Sequence, residues 1–139
     1  MVAEVEVNKS TGQISVKRVS CAHDCGLIIN PNGLKNRIEG NIVQGISRAL
    51  YEEVAFDGHG VTSLDWLSYP IIRFADLPEI DIVLIDRPEV APLGAGKPST
   101  IPLAAAIANA VFDATGARLY EGPFTTKRVL EALKLAARV

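Results

Sequence analysis

The chain has 139 residues, enough for one domain with a single core. With 48% hydrophobic and 22% charged residues it reads as globular, and a net charge of −2 offers no electrostatic footprint for DNA, RNA or an anionic membrane. No apolar run reaches the ~18 residues that span a bilayer. Met1-Val2-Ala3-Glu4 lacks the basic start and apolar core of a signal peptide, so a soluble cytoplasmic protein without a membrane span is expected.

Val2, Val5 and Val7, then Ile14, Val16 and Val19, are apolar runs on either side of Asn8-Lys9-Ser10-Thr11-Gly12, a polar cluster that signals a hairpin. Beyond it, Cys21, His23 and Cys25 point to one side if the segment is extended. Zinc would need a fourth ligand, and the only other histidine is His59, so buried free thiols are the expectation and no metal is assigned. Asn30-Pro31 starts a helix, with Asn30 as cap and Pro31 in the first turn, where a missing N–H costs nothing. Leu34, Ile38, Ile42, Ile46 and Leu50 recur every four residues, which predicts a helix from about Pro31 to Glu53 with that stripe buried.

The same helix has a second face. At 100° per residue, Gly33, Arg37, Gly40, Asn41 and Gln44 fall in one narrow sector of small and polar residues. Glycine within a helix costs ~1 kcal/mol against alanine, so Gly40 and Gly45 imply close approach by either another helix or a ligand. Phe56-Asp57-Gly58-His59-Gly60 reads as a turn or hairpin tip with a solvated histidine. From Leu64 to Phe74 the pattern is ambiguous: Asp65-Trp66-Leu67 could open a short helix that Tyr69-Pro70 breaks, and Trp66 and Tyr69 fit either core or a pocket wall. Ile80 to Ile85 is a strand bounded by Pro78 and Pro88.

Pro92-Leu93-Gly94-Ala95-Gly96-Lys97-Pro98-Ser99-Thr100 then leads into an apolar stretch from Ile101 to Thr115. Gly94 and Gly96 let backbone amides approach a ligand, Ser99 or Thr100 can cap the following helix, and that helix's first turn offers N–H groups to an anion. Pro98 should hold Lys97 extended at the mouth of this nest. An ordinary loop fits the same residues. The helix from Ile101 is apolar on nearly all sides and is expected to be the central buried one, ended by Gly116. A last amphipathic helix begins near Thr125 or Thr126 and carries Val129, Leu130, Leu133 and Leu135.

Three motifs in order carry a family resemblance. They are Cys21-Ala22-His23-Asp24-Cys25-Gly26 with Asn30-Pro31, then Ile38-Glu39-Gly40-Asn41-Ile42-Val43-Gln44-Gly45, then Gly94-Ala95-Gly96 with Pro98 and Ala108-Asn109-Ala110-Val111-Phe112-Asp113-Ala114-Thr115-Gly116. Over nearly its whole length the chain resembles the C-terminal part of the molybdopterin-binding subunit of the xanthine dehydrogenase and aldehyde oxidase family, most of all isoquinoline 1-oxidoreductase beta-subunit-like proteins. The resemblance implies an α+β fold, with hairpin strands packed on a long helix and a buried second helix, residues 1–139 being one domain of a larger subunit. It implies an oxidoreductase in which a molybdenum ion, held by a pterin cofactor, hydroxylates an aldehyde or N-heteroaromatic. A glutamate serves as base. Electrons leave through iron–sulfur clusters on another subunit or domain.

By the same resemblance Gln44 and the amides of Gly94, Ala95 and Gly96 contact the cofactor. The family's base glutamate falls on Lys97, and a glutamine that contacts the cofactor falls on Arg37. Lysine has an unperturbed pKa of ~10.4 and would need a depression of about three units to accept a proton at neutrality, so Lys97 at the catalytic position is not expected to be an efficient base. The alternative is a non-catalytic anion-binding or assembly module with Arg37 and Lys97 as cationic clamps. Partners would be the remaining molybdopterin-binding domains and an iron–sulfur subunit. An export signal on such a partner would make the location periplasmic. Alone, the chain should be inactive and prone to self-association through faces left open.

Overall fold

In the computed structural model, which describes residues 1–137, the chain forms a three-stranded sheet with helices packed on one face. Strands β1 (Val2–Val7) and β2 (Ile14–Asp24) make the expected hairpin, and β5 (Glu79–Ile85) joins the other side of β2, giving the order β1-β2-β5. The Asn8 side chain accepts from Ser10 N and Thr11 N at 3.0 and 3.1 Å, and Gly12, at φ 75°, lets the chain turn back.

The alternation along β2 changes phase midway. Ile14 and Val16 face the core, then Val19, Cys21 and His23 do. The register explains it: Val5 pairs with Val16 but Glu4 with Arg18, so Lys17 is an extra residue that bulges out and flips every later side chain to the other face. Cys21, His23 and Cys25 are therefore buried, with both thiols free as expected. Four extended residues separate the two sulfurs' backbones by ~13 Å. Among the described residues no group of three potential ligands could hold a metal.

Helix α1 (Pro31–Leu50) begins where the sequence puts it, with the Asn30 side chain accepting from Gly33 N at 2.9 Å and Pro31 in the first turn. It ends one turn before the expected Glu53. Leu34, Ile38, Ile42, Ile46 and Leu50 are all buried against the sheet and against α2 (Leu103–Thr115). The step from β2 through α1 to the parallel β5 passes through a small hairpin, β3 (Phe56–Asp57) with β4 (Gly60–Val61), whose His59 is exposed as expected. Residues 64–73 hold no helix: Asp65 closes a turn by accepting from Leu67 N and Ser68 N, Trp66 is exposed, and the half-buried Tyr69 donates to Glu52.

Helix α2 buries the stripe Leu103, Ile107 and Val111 against α1 and β1, and Gly116, at φ 76°, ends it. Its other apolar sides are not buried as the composition led us to expect: Ala104, Ala105, Phe112 and Ala114 are exposed, because α2 is an outer layer over the sheet rather than a central rod. Helix α3 (Thr126–Ala136), capped by the Thr125 side chain, buries Val129 in the core and lays Leu130 against Gly12 of the β1–β2 turn. Arg128 ties it to Glu53 at 2.8 Å and to Glu121 at 2.8 Å.

Two glycines separate backbone demand from helix cost. A Cβ on Gly12 would run into the Thr126 carbonyl oxygen and the Leu130 side chain, in a left-handed backbone that alanine resists. Gly12→Ala should therefore cost about 3 kcal/mol, seen as a lower urea midpoint at unchanged slope. Gly40 has nothing within 4 Å of a would-be Cβ, so Gly40→Ala should raise stability by about 1 kcal/mol in the same titration.

Candidate functional site

The polar sector of α1 meets the Gly-rich turn directly. Asn41, 4% exposed, donates from Nδ2 to the Gly96 carbonyl at 2.9 Å and to Ser99 Oγ at 3.1 Å, while Thr100 Oγ1 donates to the Asn41 carbonyl at 3.5 Å. Three bonds thus fasten residues 96–100 to one helical position. One turn further along, Lys97 Nζ donates to Gln44 Oε1 at 3.4 Å.

The local backbone differs from expectation in two ways. Lys97 is not extended but sits at φ −133°, ψ −9°, because Pro98–Thr100 forms a 3₁₀ turn that Lys97 leads into. That turn uses the N–H groups of Thr100 and Ile101, and α2 starts only after Pro102, with no side-chain cap. Ser99 and Thr100 are turned toward α1 instead. The amides of Gly94, Ala95, Gly96 and Lys97 have no acceptor among the described residues, so the turn adds four consecutive donors to the free N–H groups of the first turn of α2.

A second loop closes the site. Gly26, at φ 74°, lies so near the chain at 90–91 that a Cβ would stand 2.5 Å from the Ala91 carbonyl oxygen. Leu27 N donates to the Val90 carbonyl at 3.0 Å, and Leu93 N to the Cys25 carbonyl at 2.8 Å. Between this loop, the turn and the start of α1 lies a hollow of about 280 Å³ whose walls include Leu27, Ile28, Gly33, Arg37, Leu93 and Gly96. Among the described residues no acidic side chain lines it. Arg37 and Lys97 are both exposed, and among the described residues neither has a carboxylate partner.

Of the residues singled out from sequence, Arg37, Ala95 and Gly96 line this hollow, and Gln44 and Lys97 touch each other along the same edge of α1. Gly94 stands at the exposed tip, and neither it nor Gly96 has anything within 4 Å of a would-be Cβ. The two helix glycines divide: Gly45 faces Leu103 of α2, whose Cδ2 would lie 2.6 Å from an added Cβ, whereas Gly40 faces open space. The side-chain role of Asn41 and the contribution of residues 25–29 were not foreseen; the helical sector containing Asn41 was the one sequence signal for the first.

Such an arrangement, with unpaired amides on a glycine turn, Arg37 and Lys97 nearby and an apolar floor, suits a ligand that combines anionic groups with a flat apolar body. Comparison with known proteins specifies the ligand class. The family model described as molybdopterin cofactor-binding domain matches residues 1–78. The chain belongs to that family. It is 46% identical over 132 residues to a nicotinate dehydrogenase subunit of Pseudomonas putida, covering 95% of this chain and 11% of that protein. Among solved structures, quinoline 2-oxidoreductase from Pseudomonas putida 86 superposes with a TM-score of 0.83 at 28% identity, covering 94% of this chain and 18% of that one. Aldehyde oxidoreductase from Desulfovibrio gigas superposes with a TM-score of 0.83 at 33% identity, over 95% of this chain and 15% of that one. The chain thus spans less than a fifth of the length of these relatives. The α+β fold and the family resemblance read from the motifs are both upheld.

The loop below the hollow is itself held by charge. Asp24 accepts from Gly26 N at 3.0 Å and from Arg87 at 3.4 Å. The Gly26 N–H first, and Arg87 after it, hold the Asp24 carboxyl below the usual aspartate range. Because the folded carboxyl is the stronger acid, its stabilisation is complete above the ordinary aspartate pKa and is lost as pH falls through the depressed folded value. Thermal melts from about pH 5 to about pH 2 should show a smaller loss of stability for Asp24→Asn than for the parent chain.

Proposed function

We propose that this chain forms one wall of the molybdopterin site in a molybdenum-dependent oxidoreductase that hydroxylates aldehydes or N-heteroaromatics, completed by further molybdopterin-binding domains and served by iron–sulfur clusters on a partner. The observation that carries the reading is the Asn41-fastened turn, which leaves four consecutive amides without acceptors among the described residues, beside a hollow containing Arg37. These residues fit a pterin with an anionic tail: the open space over Gly94 and Gly96 admits a close backbone approach. When bound, the cofactor supplies the oxidising centre and activates the oxygen that is transferred.

What this chain's own residues contribute is holding and orientation. The amides of Gly94, Ala95 and Gly96 donate to the cofactor's acceptors, Arg37 meets an anionic group, and Gln44, its Oε1 engaged by Lys97, keeps its Nε2 free to donate outward. Lys97 is a donor in this geometry, and its ammonium does not supply the carboxylate that a proton acceptor would need at this position. An apolar surface for the partner domains supports the reading: Phe56, Val61, Leu64, Trp66, Leu67 and Phe74 are exposed along one stretch, Leu67 at 92% and Phe74 at 93%. The assembly is placed in the cytoplasm by this proposal. Among the described residues no helix is long and apolar enough to cross a membrane.

Co-expression of this chain with the remaining domains and an iron–sulfur subunit should yield an assembly that retains molybdenum and a pterin. Aldehyde or N-heteroaromatic turnover should rise at least about 10²-fold on Lys97→Glu, the contribution expected of a positioned base. An assembly that retains neither molybdenum nor pterin rejects the reading. A second reading, a non-catalytic anion-binding module, is favoured by the lack, among the described residues, of a carboxylate partner for Arg37 and Lys97. On that reading pyrophosphate should bind the isolated chain and lose about tenfold in affinity with either Arg37→Ala or Lys97→Ala, and indifference to both removes it. Light scattering of the isolated chain should show mass rising with concentration, as the open apolar stretch requires; a monomer at all concentrations would leave that stretch without a role in association.

A further inference from the structure

We infer that Asn41 is the positioning residue of this site: it sets the orientation of the Gly96–Lys97 peptide so that the Lys97 N–H faces the ligand. This role rests on the cofactor-wall reading and falls on a residue whose side chain makes no direct ligand contact in it. The first ground is geometric. A trans peptide is planar and carries its carbonyl and its N–H on opposite sides. The one cis peptide bond among the described residues is Gly122–Pro123, so Gly96–Lys97 is trans. Asn41 Nδ2 draws the Gly96 oxygen toward α1 at 2.9 Å, and the Lys97 N–H on the far side of the plane is therefore turned away from the helix, where it has no acceptor among the described residues.

The second ground is that the Asn41 side chain is committed to this task and nothing else. It is 4% exposed, and its amide nitrogen serves Gly96 and Ser99 together, while its main-chain carbonyl receives the Thr100 hydroxyl. A buried amide with both protons spent on a loop holds that loop in one state, because swapping the carbonyl for an N–H at the same point would set donor against donor. Turning the 96–97 peptide over would rotate ψ of Gly96, which has no side chain to hinder it, and φ of Lys97, which would leave −133° for the left-handed region at a cost of about 1–2 kcal/mol. The bond from Asn41 to the Gly96 oxygen holds the peptide in the same sense from α1.

Asn41→Asp tests this because it is isosteric and reverses the polarity. A carboxylate cannot donate to the Gly96 oxygen, and it can accept the Lys97 N–H, so the peptide should turn over. In ¹⁵N-labelled chain, the Lys97 amide should exchange fast with solvent in the parent and about tenfold or more slowly in Asn41→Asp, the protection expected of a bond to a charged acceptor. Amides of α3 should be unaffected in both, which confirms that the variant is folded. Asn41→Ala, which removes the donor without adding charge, should leave Lys97 exchange fast while weakening pyrophosphate binding several-fold. Equal Lys97 exchange in the parent and Asn41→Asp, with α3 intact, overturns the inference. If the parent fails to bind pyrophosphate yet Lys97 exchange responds as described, anion binding by the isolated chain falls and the positioning role stands. If the Asp variant does not fold, unchanged pyrophosphate affinity in Asn41→Ala overturns the role and a several-fold loss supports it.

Discussion

Burying one stripe of α1 fixes the rotation of that helix about its axis, and the site follows from that rotation. Leu34, Ile38, Ile42, Ile46 and Leu50 must face the sheet and α2, since exposing any of these side chains forfeits about 1.5–3 kcal/mol. With the stripe inward, Gly33, Arg37, Gly40 and Gln44 are left on the open side, and Asn41 lies at the boundary, where it is covered by the turn it holds. A helix rotated by even one residue, 100°, would lose both the core contact and the meeting of Asn41 with Gly96. The hydrophobic core and the polar site are consequences of the same packing decision.

What could be read from the sequence was what short-range pattern controls. The α1 stripe, its Asn30–Pro31 start and the β1–β2 turn are set by residues within a few positions of one another, and the structure keeps them. The bulge at Lys17 was not legible, because apolar residues lie on both sides of it in either phase and only the partner strand shows which residue is extra. The parallel pairing of β2 with β5 joins residues about sixty positions apart and depends on α1 having already crossed the sheet. Apolar composition misled about α2 for a physical reason: Ala104, Ala105 and Phe112 are apolar yet exposed, and composition does not say whether the chain folds anything over an apolar face.

The same limit applied to the site. A helical wheel was sufficient to place Arg37, Asn41 and Gln44 together, because that needs only 100° per residue. The conformation of Lys97 was not accessible in this way. The usual bias of a residue before proline toward extended backbone lost to the 3₁₀ turn of Pro98–Thr100, which is stabilised by the long-range bonds from Asn41 to Ser99 and from Thr100 to Asn41. Tertiary hydrogen bonds to a buried amide outweighed a local preference, and they placed a 3₁₀ turn between the glycines and the first turn of α2.

The glycines of α1 show how packing and ligand space are shared out on one helix. Gly45 is filled by Leu103, and this close contact lets α2 approach α1 near enough for the turn before α2 to reach Asn41. Gly40 lies five residues earlier, about 140° around the axis, and faces nothing. A residue that costs helix stability and touches no neighbour has its explanation outside the chain's own core. Gly94 and Gly96 are open in the same way, and the Asn41 bond ties their turn to the helix that carries Gly40. The Gly45–Leu103 contact and the Asn41 bonds together set how far these open positions on the turn stand from those on the helix.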